Sequence, residues 1–437
     1  MNICVFGLWH LGCTTAACLA KEGFGVVGLD LDRETVQNLQ RGHAPLMESG
    51  LDELLAYGLR QQTLRFSCQP DEALRGSDLV WVTFDTPVDE SDEADVSFVE
   101  QQLHGVLQFV PTNTVILISS QVPVGFTGRL EQEWQDKRSD RPLIFGYSPE
   151  NLRLGRAIES FSNPERVIVG VRGDKGKEQI ASVFSPFCSH IEWMSIESAE
   201  MTKHALNAFL AMSIAFTNEL ARLCEQVGAD AKEVERGLRS EPRIGSRAYV
   251  SPGAAYAGGT LARDVRFLIG LGAKAAVPTP LFAAVQSSNE LHKRWVRDRL
   301  SEILGPMAGQ KTVAILGLTY KPGTSTLRRS ASLELCAWLH SQGVRVQAHD
   351  PTVPVLTNDT RTDIELFDTP MLALTGASAV VIATQWPQYR ELTVEHFTQS
   401  MREPWIIDQS RFLADTLERD ARVHYVTVGR PCELLLK

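Results

Sequence analysis

The chain is short of positive charge. Against 53 Asp and Glu it carries 43 Lys and Arg, a formal net charge of −10. No nucleic-acid partner is expected, because neutralising phosphates takes clustered Lys and Arg. A small anionic ligand stays possible, since a few local arginines hold one within an acidic protein. CxxC pairs are missing. The eight cysteines, among them Cys4, Cys13, Cys18 and Cys336, fall mostly inside apolar runs. That argues against a disulfide frame or a zinc site, and for reduced core thiols in a cytoplasmic protein with no metal. No run reaches the apolar length of a membrane span, so no membrane partner is expected. The opening "MNICVFG" enters a strand pattern at once, so a signal peptide is not expected. Repeats and low-complexity tracts are also lacking. What is present, 437 residues of which 43% are apolar, describes a globular protein of two or three domains.

Short β-branched runs alternate with helical patterns in the first part. "NICVFG" (Asn2–Gly7), "GVVGLD" (Gly25–Asp30), "LVWVTF" (Leu79–Phe84) and "TVILIS" (Thr114–Ser119) read as buried strands of a parallel sheet. Helical segments such as Thr14–Glu22 and Arg33–Gln40 lie between, giving βαβ units. From Ser198, a candidate N-cap, to Val227 the spacing predicts one helix. Its apolar stripe is Met201, Ala205, Phe209, Met212, Phe216, Leu220 and Leu223. More helix continues to Leu300. Strands then resume with "TVAILGL" (Thr312–Leu318), "RVQAHD" (Arg345–Asp350), "AVVIAT" (Ala379–Thr384) and "WIIDQS" (Trp405–Ser410). The expected fold is α/β: two Rossmann-like doubly wound domains joined by a central helical domain with a long helix. The expected boundaries are 1–195, 196–303 and 304–437.

The first turn reads "VFGLWHLG". Gly7 and Gly12 have the spacing of the outer glycines of G-x-G-x-x-G, between a strand and a helix. Asp30, 23 residues after Gly7, closes the second strand where an acid binds a ribose hydroxyl. A dinucleotide pyrophosphate on amides at the helix N-terminus is the reading, against a doubly wound domain that binds nothing. Trp9 stands at the middle glycine, so its indole must point away or obstruct binding. Asp30 favours NAD over NADP, which would bring a 2′-phosphate to a like charge, although Arg33 lies close. Lys203 and Asn207 are four apart and share a helix face. "PRIGSR" (Pro242–Arg247) and "GLTYKPGTSTLRRS" (Gly317–Ser330) offer Arg243, Arg247, Lys321, Arg328 and Arg329 to an anion, or simply to solvent. "PGAAYAGGTLARD" (Pro252–Asp264) reads as a flexible turn with room for close backbone approach.

In order, these stretches resemble the UDP-glucose/GDP-mannose dehydrogenase family over almost the whole chain. Further matches are "APLMESGLDELL" (Ala44–Leu55), "DTPVDESDEADVSFVE" (Asp85–Glu100), "SSQVPVG" (Ser119–Gly125), "YSPENLRLGRA" (Tyr147–Ala157), "AEMTKHALNAFLAMSIAFTNE" (Ala199–Glu219) and "ATQWPQY" (Ala383–Tyr389). The resemblance implies oxidation of C6 of a nucleotide-bound hexose in two hydride transfers to NAD, with a cysteine carrying the second through a thioester. It implies catalytic positions at Lys203, Asn207, Asp264 and Glu150. It implies NAD contacts from Gly7, Trp9, His10, Leu11, Gly12, Asp30, Thr86, Pro87 and Gln121. Substrate contacts, to a UDP- or GDP-hexose, fall to Arg243, Tyr256, Gly258 and Lys321. A homodimer built on the central helix and a role in polysaccharide biosynthesis follow from the same resemblance.

The departures cluster. Thr260 occupies the position of the nucleophilic cysteine, Leu154 that of a second glutamate, and Gln121 that of a threonine positioning water. A threonine hydroxyl is protonated at neutral pH, whereas an ordinary thiol titrates near 8.5. Three readings stand: an oxidoreductase stopping after one hydride, one that oxidises a hydrated aldehyde without covalent capture, and a non-catalytic relative that binds nucleotide sugar or a partner protein.

Overall fold

The computed structural model describes residues 1–87, 95–150, 152, 155–256, 259–327, 330–356 and 364–432. They fall into two compact units, Met1–Ala205 and Leu206–Lys437.

The first unit is built on eight strands: β1 (Asn2–Phe6), β2 (Gly25–Leu29), β3 (Leu64–Ser67), β4 (Leu79–Val82), β5 (Val115–Ile118), β6 (Ile144–Tyr147), β7 (Val167–Val171) and β8 (Ile191–Met194). Their order, β3-β2-β1-β4-β5-β6-β7-β8, begins with the 3-2-1-4-5-6 arrangement of a doubly wound sheet. The β6–β7 pair is antiparallel; the other pairs are parallel. Strands β4 and β5 are buried throughout, which is why they carry no polar alternation. On one face Ala16, Ala17 and Ala20 of helix His10–Lys21 pack with Ile3, Val5, Leu79 and Leu117, and small side chains let that helix sit close to the sheet.

The second unit opens on helices and ends on a second sheet. Its strands are β9 (Thr312–Leu316), β10 (Arg345–His349), β11 (Ile364–Leu366), β12 (Ala379–Ile382), β13 (Trp405–Ile407) and β14 (His424–Val426). The order β11-β10-β9-β12-β13-β14 repeats the doubly wound arrangement, with every described pair parallel. Trp295 and Leu300 of helix Trp295–Leu304 join Ala221, Cys224, Val313 and Ile315 in one core.

The long helix runs from Ile196 to Val227, 32 residues or about 48 Å. Ser198 is not its cap. Ser195 is, its Oγ accepting the Ser198 amide at 3.1 Å. The expected apolar stripe is corrected too. Ala208, Ala211 and Ala215 face the core with Tyr256, Val265, Leu268 and Val285, whereas Phe209, Phe216 and Leu223 are exposed. Among the described residues no helix is long and apolar enough to cross a membrane.

Candidate functional site

The turn after β1 has the form that its glycines predict. Gly7 lies at φ +99°, and a Cβ there would meet the Phe84 ring at 2.8 Å. A Cβ on Gly12 would collide with the Gly7 carbonyl oxygen, so glycine is what lets the helix start against the strand end. At the end of β2, Asp30 accepts the amides of Leu8 at 2.8 Å and Asp32 at 3.0 Å. Trp9 does not close the turn. Its φ of −94° is ordinary for any residue, and its side chain is 46% exposed. Helix His10–Lys21 has neither a capping side chain nor an acid in its first turn, so His10 and Leu11 begin an uncovered helix N-terminus. These residues fit a dinucleotide.

Beside that turn the neighbouring strand ends are tied together. Buried Thr86 donates to the Gln121 carbonyl at 2.7 Å, and the Pro87 carbonyl accepts the Asp95 amide at 2.8 Å. The first turns of the long helix dock on the loops after β5 and β6. Glu200 accepts the amides of Gly125 at 2.6 Å and Thr127 at 2.9 Å, satisfying the start of helix Phe126–Lys137. Burial raises the Glu200 carboxyl against those hydrogen bonds. His204 reaches the Val122 carbonyl at 3.0 Å. Buried Lys203 donates to the Glu150 carbonyl at 2.6 Å, with the Glu150 carboxylate at 3.4 Å. Glu150 also accepts the Leu152 amide at 2.9 Å. A cavity of about 60 Å³ lies alongside, lined by Leu11, Thr15, Trp81, Glu150 and Leu152 among others.

In the second unit Asn207, one turn on from Lys203 along the helix, donates to the carboxylate of fully buried Asp264. Of the loop expected to be a flexible turn, Gly253 to Tyr256 are tied down, while Ala257 and Gly258 lie outside the described residues. Three buried side chains hold the stretch from Gly253 to Tyr256. Asn218 binds the Gly253 amide at 2.9 Å and the Ala254 carbonyl at 3.2 Å. Asn289 binds the amide and carbonyl of Tyr256, each at 3.0 Å, and His292 Nε2 meets the Gly253 carbonyl at 2.8 Å. Tyr256 is itself buried, which pushes its phenol up to about 12. Thr260 is exposed in the first turn of helix Gly259–Lys274. Arg243 stands on an exposed loop and donates to Glu241 at 2.7 Å. Lys321 is half-buried in the loop after β9. Gly258, Leu154, Arg328 and Arg329 lie outside the described residues.

Residues 1–188 match the model of the family's NAD binding domain, 197–291 its central domain and 314–415 its UDP binding domain. The chain belongs to the UDP-glucose/GDP-mannose dehydrogenase family. It is 33% identical to the UDP-glucose 6-dehydrogenase of Pseudomonas aeruginosa, over 99% of this chain and 98% of that protein. It is 32% identical to UDP-glucose 6-dehydrogenase TuaD of Bacillus subtilis, over 98% and 93%. The fold is similar to that of a UDP-glucose dehydrogenase from Pyrobaculum islandicum, with a TM-score of 0.86, 26% identity and 98% of each chain covered. A UDP-D-ManNAc dehydrogenase from Pyrococcus horikoshii gives 0.85 and 25%, covering 98% of this chain and 99% of that one. As a member of the UDP-glucose/GDP-mannose dehydrogenase family, the protein is an NAD-dependent oxidoreductase of the nucleotide-sugar dehydrogenase class.

The two doubly wound sheets of this chain share one form of turn and complete it differently. In the UDP binding domain, Gly317 lies at φ +98° after β9, and Asp350 after β10 accepts the amides of Leu318 at 2.7 Å and Thr319 at 3.0 Å. There, however, Trp386 Nε1 closes on Asp350 at 3.1 Å and the carboxylate is buried. Burial pushes Asp350 up, but the backbone hydrogen bonds win and hold it below the usual carboxylate range. The "WPQY" segment is thus a seal, with Tyr389 donating to the His349 carbonyl at 2.9 Å. The sequence reading missed Asn218, Asn289 and His292. The i, i+3 spacing of the last two on helix Pro280–Lys293 is the signal that could have found them.

Proposed function

We propose that the protein removes one hydride from a UDP-hexose and releases the carbonyl compound without carrying it on to an acid. The observation that carries this reading is the exposed Thr260 hydroxyl, at the loop position where the family resemblance puts a nucleophilic cysteine. No thiol elsewhere compensates among those with shifted acidity. Burial raises Cys4, Cys13, Cys18, Cys224 and Cys336, the last to about 12. A protonated, buried thiol is a poor nucleophile at neutral pH.

NAD, held by the turn from Gly7 to Gly12 with Asp30, Thr86, Pro87 and Gln121, supplies the hydride acceptor. The chain's own residues handle the proton and the charge. Lys203 donates to the substrate oxygen as its proton leaves, stabilising the developing oxyanion. Glu150 holds the Lys203 ammonium, and Asn207 orients Asp264, which takes the proton directly or through water. The alcohol carbon loses two electrons with the hydride, the oxygen loses its proton, and a carbonyl remains. Arg243, Tyr256, Gly258 and Lys321 contact the sugar nucleotide, and the match of residues 314–415 to a UDP binding domain supports uridine as the base.

The functional unit is a cytoplasmic homodimer joined through the exposed Phe209, Phe216 and Leu223, with Arg243 reaching the partner's nucleotide. Three domains, 1–195, 196–303 and 304–437, divide these tasks. The deciding experiment counts NADH formed per UDP-glucose consumed by the purified protein. One equivalent is expected. Two equivalents with uronic acid as product would refute the single oxidation, and absence of both NAD⁺ binding and NAD⁺ reduction would leave only a binding protein. A Thr260→Cys variant should gain the second equivalent.

A further inference from the structure

Glu48 is a carboxylate in an unexpected place. Its side chain is 1% exposed, yet it lies in the irregular stretch between two helices, where solvated acids are the rule. It accepts three hydrogen bonds. His10 Nε2 meets Oε2 at 2.9 Å, the Gly155 amide donates to the same oxygen at 2.8 Å, and the Ala157 amide donates to Oε1 at 2.9 Å. One donor is thus the first residue of helix His10–Lys21, and the other two belong to the far end of the loop carrying Glu150. At its near end that loop is held by Lys203. Gly155 sits at φ +86°, and its amide is held by Glu48.

We infer that Glu48, through His10, couples occupancy of the dinucleotide turn to the order of the Gly155–Ala157 backbone. Glu48 is a positioning residue. Its three hydrogen bonds are to protein groups, and nothing in the amide contacts alone requires the His10 link. When an anion settles on the helix N-terminus, His10 is fixed at its first residue, and the shared oxygen of Glu48 transmits that order to the Gly155 amide. The inference rests on the reading of the turn as an NAD site.

Linkage makes the test quantitative. If NADH steadies the loop by some factor, cutting the link must weaken NADH binding by the same factor. Full-length wild type, His10→Phe and Glu48→Gln are titrated with NADH, and hydrogen–deuterium exchange is followed in peptides covering 155–157. Wild type is expected to show exchange slowed by about tenfold on NADH binding, within the usual range of coupling between sites. His10→Phe keeps the amide bonds to Glu48, so its free-state exchange should match wild type. Its NADH-induced slowing should vanish, and its NADH affinity should fall by the same factor, about tenfold. Glu48→Gln should already exchange faster without NADH. The inference is overturned if His10→Phe retains the slowing, if NADH leaves 155–157 unchanged in wild type, or if both variants lose NADH affinity by far more than the protection. Wild type that fails to bind NADH at all would overturn the reading of the turn, and the coupling with it.

Discussion

His292 shows how one buried side chain sets the conditions under which the site exists. Its Nε2 must carry the proton to donate to the Gly253 carbonyl, and its Nδ1 is buried without a hydrogen-bond partner among the described residues. Burial holds the imidazole below its ordinary pKa, against the Gly253 bond and with help from Arg222. The unfolded chain therefore takes up the second proton first, so this contribution is present above pH 6.5 and is lost as pH falls toward the folded pKa. Wild type should lose up to about 1.4 kcal/mol per pH unit through this group between pH 6.5 and 5.5. His292→Gln, followed by urea unfolding across the same range, should show a shallower slope. Gly12 makes a sharper case. Gly12→Ala forces a methyl against the Gly7 carbonyl oxygen, so it should cost about 1–3 kcal/mol or more and abolish measurable NADH binding. Both glycines and Asp30 were legible in sequence because backbone geometry permits few residues there. Glu48 and Asn289 were not, since their partners lie 107 and 33 residues away.

At the level of the single helix, the segment Ile196–Val227 explains both what periodicity reveals and what it hides. Its existence and length follow from the unbroken pattern between Ser195 and Gly228. Which face is inside does not follow, because large apolar residues at helical spacing normally mark a core. Here the inward face is alanine, and the ring-bearing residues Phe209 and Phe216 point to solvent, Phe216 with 54% of its surface exposed. Small residues win the interior because they admit the fixed loop at Tyr256 and the helices against it. The outer row then stands seven residues apart at each step, the register that the proposed homodimer would use to pack a second helix. Phe209→Asp combined with Phe216→Asp should leave the circular dichroism spectrum intact and turn a dimer into a monomer by analytical ultracentrifugation. A protein that is monomeric before substitution would remove the homodimer from the proposal. The strands missed in sequence are β3, β6 to β8, β11 and β14: β3, β8 and β11 carry a charged residue, β6 and β7 a glycine, and β14 has three residues, so none shows the unbroken apolar run of β4 and β5.

Across the whole molecule one design is used twice: the same strand order, the same left-handed glycine after the first strand, and the same aspartate after the second. The alternation of strand and helix was enough to read this architecture from sequence, because parallel sheets covered on both faces leave long apolar runs. The difference between the copies was not readable, since it depends on Trp386, 36 residues beyond the aspartate it caps. Trp386→Phe should cost about 1–3 kcal/mol by leaving the buried Asp350 short of a donor, measured by urea unfolding. Asp30 accepts its two backbone amides with no indole on it among the described residues, so the proposed dinucleotide site predicts one adenosine per polypeptide. Calorimetric titration with NADH should accordingly end at a single equivalent, and adenosine-based competitors should displace it without disturbing the uridine half.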